Sequence, residues 1–246
     1  MNGKPVSPQA GRLEAEQVRA MFDRIAGIYD FMNSAMTAGL HHRWRERAVD
    51  LARVGSGDRV LDVATGTGDL ALCMANRVGQ EGEVIASDFS EGMLARARVK
   101  AQRPASAAPA NANVRFEWGD ALALSYDDDS FDAVTVGFGA RNFSDLERGL
   151  REMVRVVRPG GRVVVLEITT PRRPPLSLFF GLWFDRIVPS LGRLAGNSEA
   201  YTYLPNSVKR FPEPEELAAL MARVGLLEIT YLLMAGGIIA IHAGTV

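Results

Sequence analysis

The sequence predicts an α/β fold, one domain over residues 1–246 with a seven-stranded, mostly parallel sheet, helices on both faces and a reversed strand at its C-terminal edge. Three observations predict it. Short apolar runs alternate with helical periods between residues 59 and 167, the pattern of parallel strands covered on both faces. Turn residues punctuate the runs, among them Thr65-Gly66-Thr67-Gly68 and Pro159-Gly160-Gly161. The last two runs are joined only by Ala235-Gly236-Gly237, too short for a parallel crossover, so those strands must be antiparallel.

Residues 1–12 hold Pro5, Pro8 and little apolar material, and are expected to fray. Val18, Met21, Phe22, Ile25 and Ala26 recur at helical spacing and predict an amphipathic helix over 14–28. A second helix is expected over 43–54, stopped by Gly55, with Ser56-Gly57-Asp58 turning the chain into a first strand over 59–64. A helix over 69–78, a strand over 83–88 and a helix over 91–100 follow. Residues 104–112, rich in Ala, Pro and Ser, read as a surface connection to the third strand, 114–118. The fourth strand is expected over 133–137, a helix over 146–157 and the fifth strand over 162–167. There the alternation breaks. Residues 169–175 form a proline-rich linker, and an apolar helical segment over 176–194 follows, so 171–212 is expected to be a lid-like insertion that meets substrate. Residues 214–224 read as a helix, and 226–233 and 237–243 as the final antiparallel strands.

Composition narrows the function. With 246 residues, 47% hydrophobic and 23% charged, the chain suits one large α/β domain. Its 28 basic and 29 acidic residues leave a net charge of −1, so no global field draws it to a phosphate backbone and nucleic acid is not an expected partner. Cys73 falls among Leu70, Ala71, Met74 and Ala75 and reads as a small core residue. The N-terminus has no leader pattern, and no run reaches about 18 apolar residues, so a cytoplasmic protein with at most peripheral membrane contact is expected. No His/Cys cluster has metal-ligand spacing, and no metal is expected.

The first strand leads through Asp62-Val63-Ala64-Thr65-Gly66-Thr67-Gly68-Asp69 into a helix. A glycine turn there lets the backbone approach a ligand. On its own the turn also fits the G-x-G-x-x-A form of a dinucleotide site, with Asp88 about 20 residues on for a ribose, so a nicotinamide or flavin oxidoreductase is the alternative. Three features favour S-adenosylmethionine. Asp62 complements an ammonium and a sulfonium but would repel a pyrophosphate. Gly119-Asp120-Ala121, after the third strand, can offer adenine an acceptor and a backbone N–H. The reversed C-terminal strands are not required by a dinucleotide domain.

From Val60-Leu61-Asp62 through Ser87-Asp88 and Gly119-Asp120 to Arg158-Pro159-Gly160-Gly161, the chain resembles the class I methyltransferase pattern, a Rossmann-like sheet. The resemblance implies that Asp62 neighbours the methionine end, that Gly66, Thr67 and Gly68 line the turn, that Asp88 binds the ribose hydroxyls, that Asp120 and Ala121 flank the adenine, and that Gly137 also belongs to the cofactor site. The plain alternatives are a helix cap formed by Asp88 with Ser90, and a turn formed by Asp120.

Outside that core, Tyr29-Asp30-Phe31-Met32-Asn33 with Thr37, Gly39, His41 and Trp44 resembles the N-terminal signature of the menaquinone and ubiquinone C-methyltransferase family. Gly137-Phe138-Gly139-Ala140-Arg141-Asn142-Phe143, Arg155 to Arg162 with Leu166-Glu167, and Tyr201-Thr202-Tyr203-Leu204-Pro205-Asn206-Ser207-Val208 with Phe211-Pro212 are similar to three further signatures of that family. Thr37 and Thr169 stand where Ser is usual, and Ala140 where many relatives carry a larger aliphatic residue. The resemblance implies transfer of a methyl group from S-adenosylmethionine to a ring carbon of a prenylated hydroquinol, without a metal. Ring carbon becomes nucleophilic when the adjacent hydroxyl ionises, so a cation is needed near that oxygen. Arg141 is the candidate for that electrostatic role, because a guanidinium is a poor base. Asn142 would orient the ring oxygen, and Tyr29, Asp30, His41, Tyr201 and Tyr203 would hydrogen-bond the quinol or close over the donor. The alternatives are an Arg141–Asp145 pair, a solvated His41 and tyrosines that only pack a lid.

A prenylated substrate calls for an apolar entrance. Residues 176–184, flanked by Arg172, Arg173 and Arg186, would suit an interfacial helix, a groove for the substrate tail or a homodimer contact. A methyltransferase of another small molecule and an idle binding module are the remaining readings, the latter opposed by Arg141 and Asn142.

Overall fold

The computed structural model describes residues 15–27, 29–30, 34, 37, 39–102, 113–182 and 198–246. In chain order they form α1 (Ala15–Ile25), α2 (His41–Ala52), β1 (Arg59–Val63), α3 (Asp69–Val78), β2 (Glu83–Asp88), α4 (Glu91–Ala101), β3 (Val114–Trp118), β4 (Phe131–Gly137), α5 (Leu146–Arg155), β5 (Val157–Ile168), α6 (Leu176–Leu182), α7 (Ser198–Arg210), α8 (Pro214–Arg223), β6 (Leu227–Met234) and β7 (Ile239–Thr245). Short 3-10 turns at Ala140–Asn142 and Ala235–Gly237 follow β4 and join β6 to β7. The expected frayed arm, the 104–112 connection and most of the helical run after Leu182 lie outside the described residues.

The strands form one seven-stranded sheet in the order β3-β2-β1-β4-β5-β7-β6. Strands β1 to β5 are parallel, and β7 runs antiparallel to both β5 and β6. The reversed strand demanded by the Ala235-Gly236-Gly237 connection is therefore β7, inserted between β5 and the edge strand β6. Strand order changes direction at β1 and β4, which opens a crevice beyond their C-terminal ends, the usual ligand position in such sheets.

Side-chain alternation explains why both faces need covering. Val60, Ala133, Val164 and Leu166 pack toward α2 and α3, whereas Leu61, Val134, Val163 and Val165 pack toward α5 and α8. On the first side Trp44, Ala48, Val49 and Ala52 of α2 interlock with Leu70, Met74 and Val78 of α3. Cys73 is half-buried against this cluster, and burial pushes its thiol up to about 11, as expected of a packing residue.

Strand β5 begins at Val157, five positions before Arg162, where the sequence pattern places its start. Pairing runs Phe131↔Val157 and resumes at Ala133↔Arg162, so the Pro159-Gly160-Gly161 turn is a bulge within the strand. Gly160 takes φ +81°, and its N–H donates to the Val246 carbonyl at 2.8 Å. The turn residues mark a local irregularity, and pairing on either side spans it.

Candidate active site

A cavity of about 310 Å³ lies in the crevice beyond β1, β2 and β4, at the low end of the range, about 300–1,000 Å³, of small-molecule sites. The glycine turn forms its floor. Gly66 and Gly68 take φ +59° and +84°, a region disfavoured for other residues. Three of the turn's donors are spent internally. Thr65 N–H donates to the Ser87 carbonyl at 3.0 Å, Gly66 N–H to Asp88 Oδ2 at 2.8 Å and Gly68 N–H to the Thr65 carbonyl at 3.0 Å. A turn that cradles a pyrophosphate must leave such N–H groups open, so this arrangement disfavours a dinucleotide.

The two turn glycines differ. Gly66 lines the cavity, and a Cβ there would meet nothing within 4 Å. Gly68 does not line it; a Cβ there would stand 2.8 Å from Phe116 and 3.2 Å from Ala97, so its glycine is a packing requirement between α3 and the β3–α4 layer.

Asp62 is 1% exposed and accepts hydrogen bonds from Thr65 Oγ1 and Thr135 Oγ1, each at 2.6 Å. Burial raises its pKa to about 6 despite those donors. Asp88 is also buried, and burial lifts it to about 6. Its Oδ1 accepts the Ser90 N–H at 2.9 Å, while Ser90 Oγ caps α4 by accepting the Met93 N–H at 3.1 Å. The cap and the cavity wall thus share one residue, since Asp88 also faces the cavity. Gly119, Asp120 and Ala121 line the adjoining wall beside Phe89 and Trp118. Asp120 Oδ1 accepts the Leu122 N–H at 2.9 Å, the turn-forming bond expected of it, and Trp118 Nε1 donates to the Phe89 carbonyl at 3.1 Å. Gly137 completes the wall beneath Leu70.

The N-terminal segment closes one side. Tyr29 lines the cavity and packs edge-on against Phe22 at 6.2 Å. Asp30 accepts from Thr67 Oγ1 at 2.5 Å, and Lys100 Nζ reaches Asp30 Oδ2 and Asp69 Oδ1, each at 2.6 Å. Lys100 therefore ties the segment before α2 to the glycine turn. His41 is buried behind this tie with Nδ1 2.7 Å from Thr37 Oγ1. Burial and then Arg45 lower its pKa to about 4, so it is neutral at physiological pH; it is neither solvated nor part of the cavity wall.

Beyond β4, Arg141 and Asn142 sit on the 3-10 turn. The Arg141 side chain is 6% exposed and pairs with Glu167 through Nη1 and Oε1 at 2.8 Å, while Nη1 also donates to the Phe138 carbonyl. Burial works against its charge, but Glu167 outweighs that and holds it protonated. Arg141 Nε is buried without an acceptor. Asp145, the alternative partner, instead caps α5 by accepting the Arg148 N–H at 3.0 Å. Asn142 lines the cavity, and its Oδ1 accepts from the Tyr203 hydroxyl of α7 at 3.0 Å. Tyr203 packs with Val18 and Met21 of α1, and the side chain of Tyr201 lies outside the described residues.

Three contributors have no role in the sequence reading. Glu167 neutralises Arg141, Lys100 makes the tie, and Arg45 lines the cavity with its Nη2 3.2 Å from Asp69 and its Nη1 buried without an acceptor. Arg45 and Glu167 carry a signal, a charge on an apolar helix stripe and a charge at the end of an apolar strand. Lys100 carries none. Among the described residues no group of His, Cys, Asp or Glu is arranged to hold a metal ion.

A sequence profile of the ubiE/COQ5 methyltransferase family matches residues 11–246. A demethylmenaquinone methyltransferase of Thermus thermophilus is 48% identical over 225 residues, covering 91% of this chain and 99% of that one. The ubiquinone/menaquinone biosynthesis C-methyltransferase UbiE of Geobacter sulfurreducens is 42% identical, covering 94% of this chain and 89% of its own. Among solved structures, a SAM dependent methyltransferase from Aquifex aeolicus superposes with a TM-score of 0.61 at 17% identity, covering 95% of this chain and 98% of its own, a likeness of fold.

Proposed function

From the premise that this chain belongs to the ubiE/COQ5 methyltransferase family, we propose that it methylates a ring carbon of a prenylated hydroquinol, a demethylated naphthoquinol in the first instance. The naphthoquinol is favoured because the relative sharing 48% identity is named a demethylmenaquinone methyltransferase. One observation carries the reading: a single cavity joins the acid-lined glycine turn to the Asn142 wall, behind which Arg141 is held charged.

The cavity's donor set fits S-adenosylmethionine. Asp62 suits the ammonium, Asp88 the ribose hydroxyls, and Trp118 with Gly119, Asp120 and Ala121 the adenine. Bound there, S-adenosylmethionine supplies an electrophilic methyl group on its sulfonium. The chain's task is then to stabilise charge on the acceptor oxygen. Arg141 cannot take a proton and does not itself line the cavity, but its charge is close behind the wall and its Nε–H, which lacks an acceptor, can reach the ionised ring oxygen through a bridging water. Tyr203 has its pKa raised by burial, so its hydroxyl stays a donor to Asn142 Oδ1, and the Asn142 amide must turn its NH2 away from that bond. That fixed NH2 can hold the ring oxygen.

Helix α6 supports a second element of the reading, peripheral contact with the bilayer that holds such a substrate. Leu178 is 72% exposed, with Phe179 and Leu182 exposed beside it, while Phe180 packs inward on Val208. Among the described residues no helix is long and apolar enough to cross a membrane. Leu178→Glu with Phe179→Glu should reduce co-sedimentation with vesicles containing anionic lipid; undiminished pelleting would remove α6 from that role. The substrate itself is tested by incubating enzyme, methyl-labelled donor and reduced lipid extract, then finding by mass spectrometry which quinol gains the label. Label on a non-quinone acceptor alone would overturn the proposal.

A further inference from the structure

We propose that Arg45 is the ligand for the α-carboxylate of the donor's methionyl end, so that Arg45 and Asp62 together clamp an amino-acid group by its two charges. The inference rests on the reading of the cavity as an S-adenosylmethionine site. Arg45 lies on the buried stripe of α2, beside Trp44, with its side chain only 7% exposed. Nη2 leans on Asp69, the guanidinium stands 5.6 Å from the centre of the Phe138 ring, and Nη1 is buried with no acceptor. A buried donor on a charged group is rarely left unmade, and a ligand oxygen in the cavity that Arg45 lines would complete it.

Elimination supports the same assignment. Among the described residues two cations line this cavity, Arg19 and Arg45. Arg19 is half exposed on α1 and already pairs with Glu16, whereas Arg45 is buried. Arg45 is near enough to Asp62 to pull against the effect of burial on that carboxyl, which puts it at the end where an ammonium would bind. The N–H groups of Thr65, Gly66 and Gly68, the usual anion donors of such a turn, are already bonded within the protein. Asp69 is shared with Lys100 at 2.6 Å, so it does not consume the charge of Arg45 alone. A carboxylate entering beside Asp62 therefore finds Arg45 Nη1 as its donor.

The test is equilibrium binding by calorimetry, with intact and decarboxylated S-adenosylmethionine, to wild-type protein and Arg45→Met. Wild type should prefer the intact compound by on the order of 10- to 100-fold, as for a charge-assisted hydrogen bond. Arg45→Met should lose that preference by weakening on the intact compound, with the affinity for the decarboxylated one held within about threefold. If Arg45→Met fails to fold, Arg45→Lys, which keeps the charge near Asp69 but not the second arm, must narrow the preference. A wild-type preference retained in the folded variant, or no preference in wild type, would overturn the assignment. Failure of wild type to bind either compound would instead overturn the donor-site reading, and the assignment with it.

Discussion

Replacing Glu167 by Gln leaves the Arg141 guanidinium in the same buried place without its counter-charge. Glu167 Oε1 accepts from Arg141 Nη1 at 2.8 Å and from the Ile168 N–H at 2.9 Å, and Oε2 accepts the Arg141 N–H at 3.2 Å. An amide can serve only one side of that set, because its NH2 is a donor facing donors. Breaking a buried pair from one side costs about 3–5 kcal/mol, and the oxygen that Gln retains places this substitution near the lower figure, about 3 kcal/mol. Arg141→Met should cost a similar amount by stranding the carboxylate. The double variant Arg141→Met, Glu167→Gln removes both charges and should recover part of the loss, giving a coupling energy of about 2 kcal/mol in urea denaturation. It should nonetheless lose about 100- to 1,000-fold in kcat on a reduced quinol, the typical effect of removing a preorganised oxyanion donor, while binding the donor normally. Additive destabilisation, with coupling below about 0.5 kcal/mol, would refute the pair as the source of stability. A stable double variant with full turnover would refute the role of Arg141.

Three further outcomes follow from the same site. Asp62→Asn should raise the melting temperature of the ligand-free protein at pH 7, because the folded pKa of about 6 lies above the ordinary 3.8 and marks a charge that burial penalises by about 3 kcal/mol. The native state holds the extra proton, so the penalty is absent below about pH 3.8 and complete above about pH 6; the gap between variant and wild type should therefore close on acidification, and a pH-independent gap would contradict the assignment. Gly68→Ala should lose about 2–4 kcal/mol in chemical denaturation, from the positive φ and the contact with Phe116, whereas Gly66→Ala should lose about 1 kcal/mol but bind the donor poorly; equal effects would refute the division of labour between them. Lys100→Met should raise the KM for the donor several-fold with little change in kcat, since it releases Asp30 from the turn; steady-state kinetics that move kcat alone would dissociate the tie from binding.

The alternating strands and helices were legible because each signal is local. Period-two runs such as Val60-Leu61 and Val163-Val164-Val165-Leu166 serve two cores at once, which no helix or one-sided strand requires. Tertiary partnerships were less legible. Lys100 occupies an ordinary last-turn position in α4, and only the fold brings it to Asp30 and Asp69. Gly66 and Gly68 read as one motif, yet Phe116 and Ala97, distant in sequence, give them different work.

Glu167 and Asp62 are two carboxylates in like sequence settings. Asp62 is a carboxylate inside an apolar strand just before a glycine turn. Glu167 ends the apolar run of β5 in the same way, without a glycine turn to advertise it. Their fates differ for a physical reason. Burial raises the pKa of Asp62 further than its two hydroxyl donors and a partly engaged Arg45 can lower it, so a cationic ligand group can relieve it. Glu167 is matched inside the protein by Arg141 and serves to keep that cation charged. A carboxylate at the C-terminal end of a buried parallel strand therefore predicts a cation in the crevice, and whether the protein already supplies one separates a ligand contact from a support.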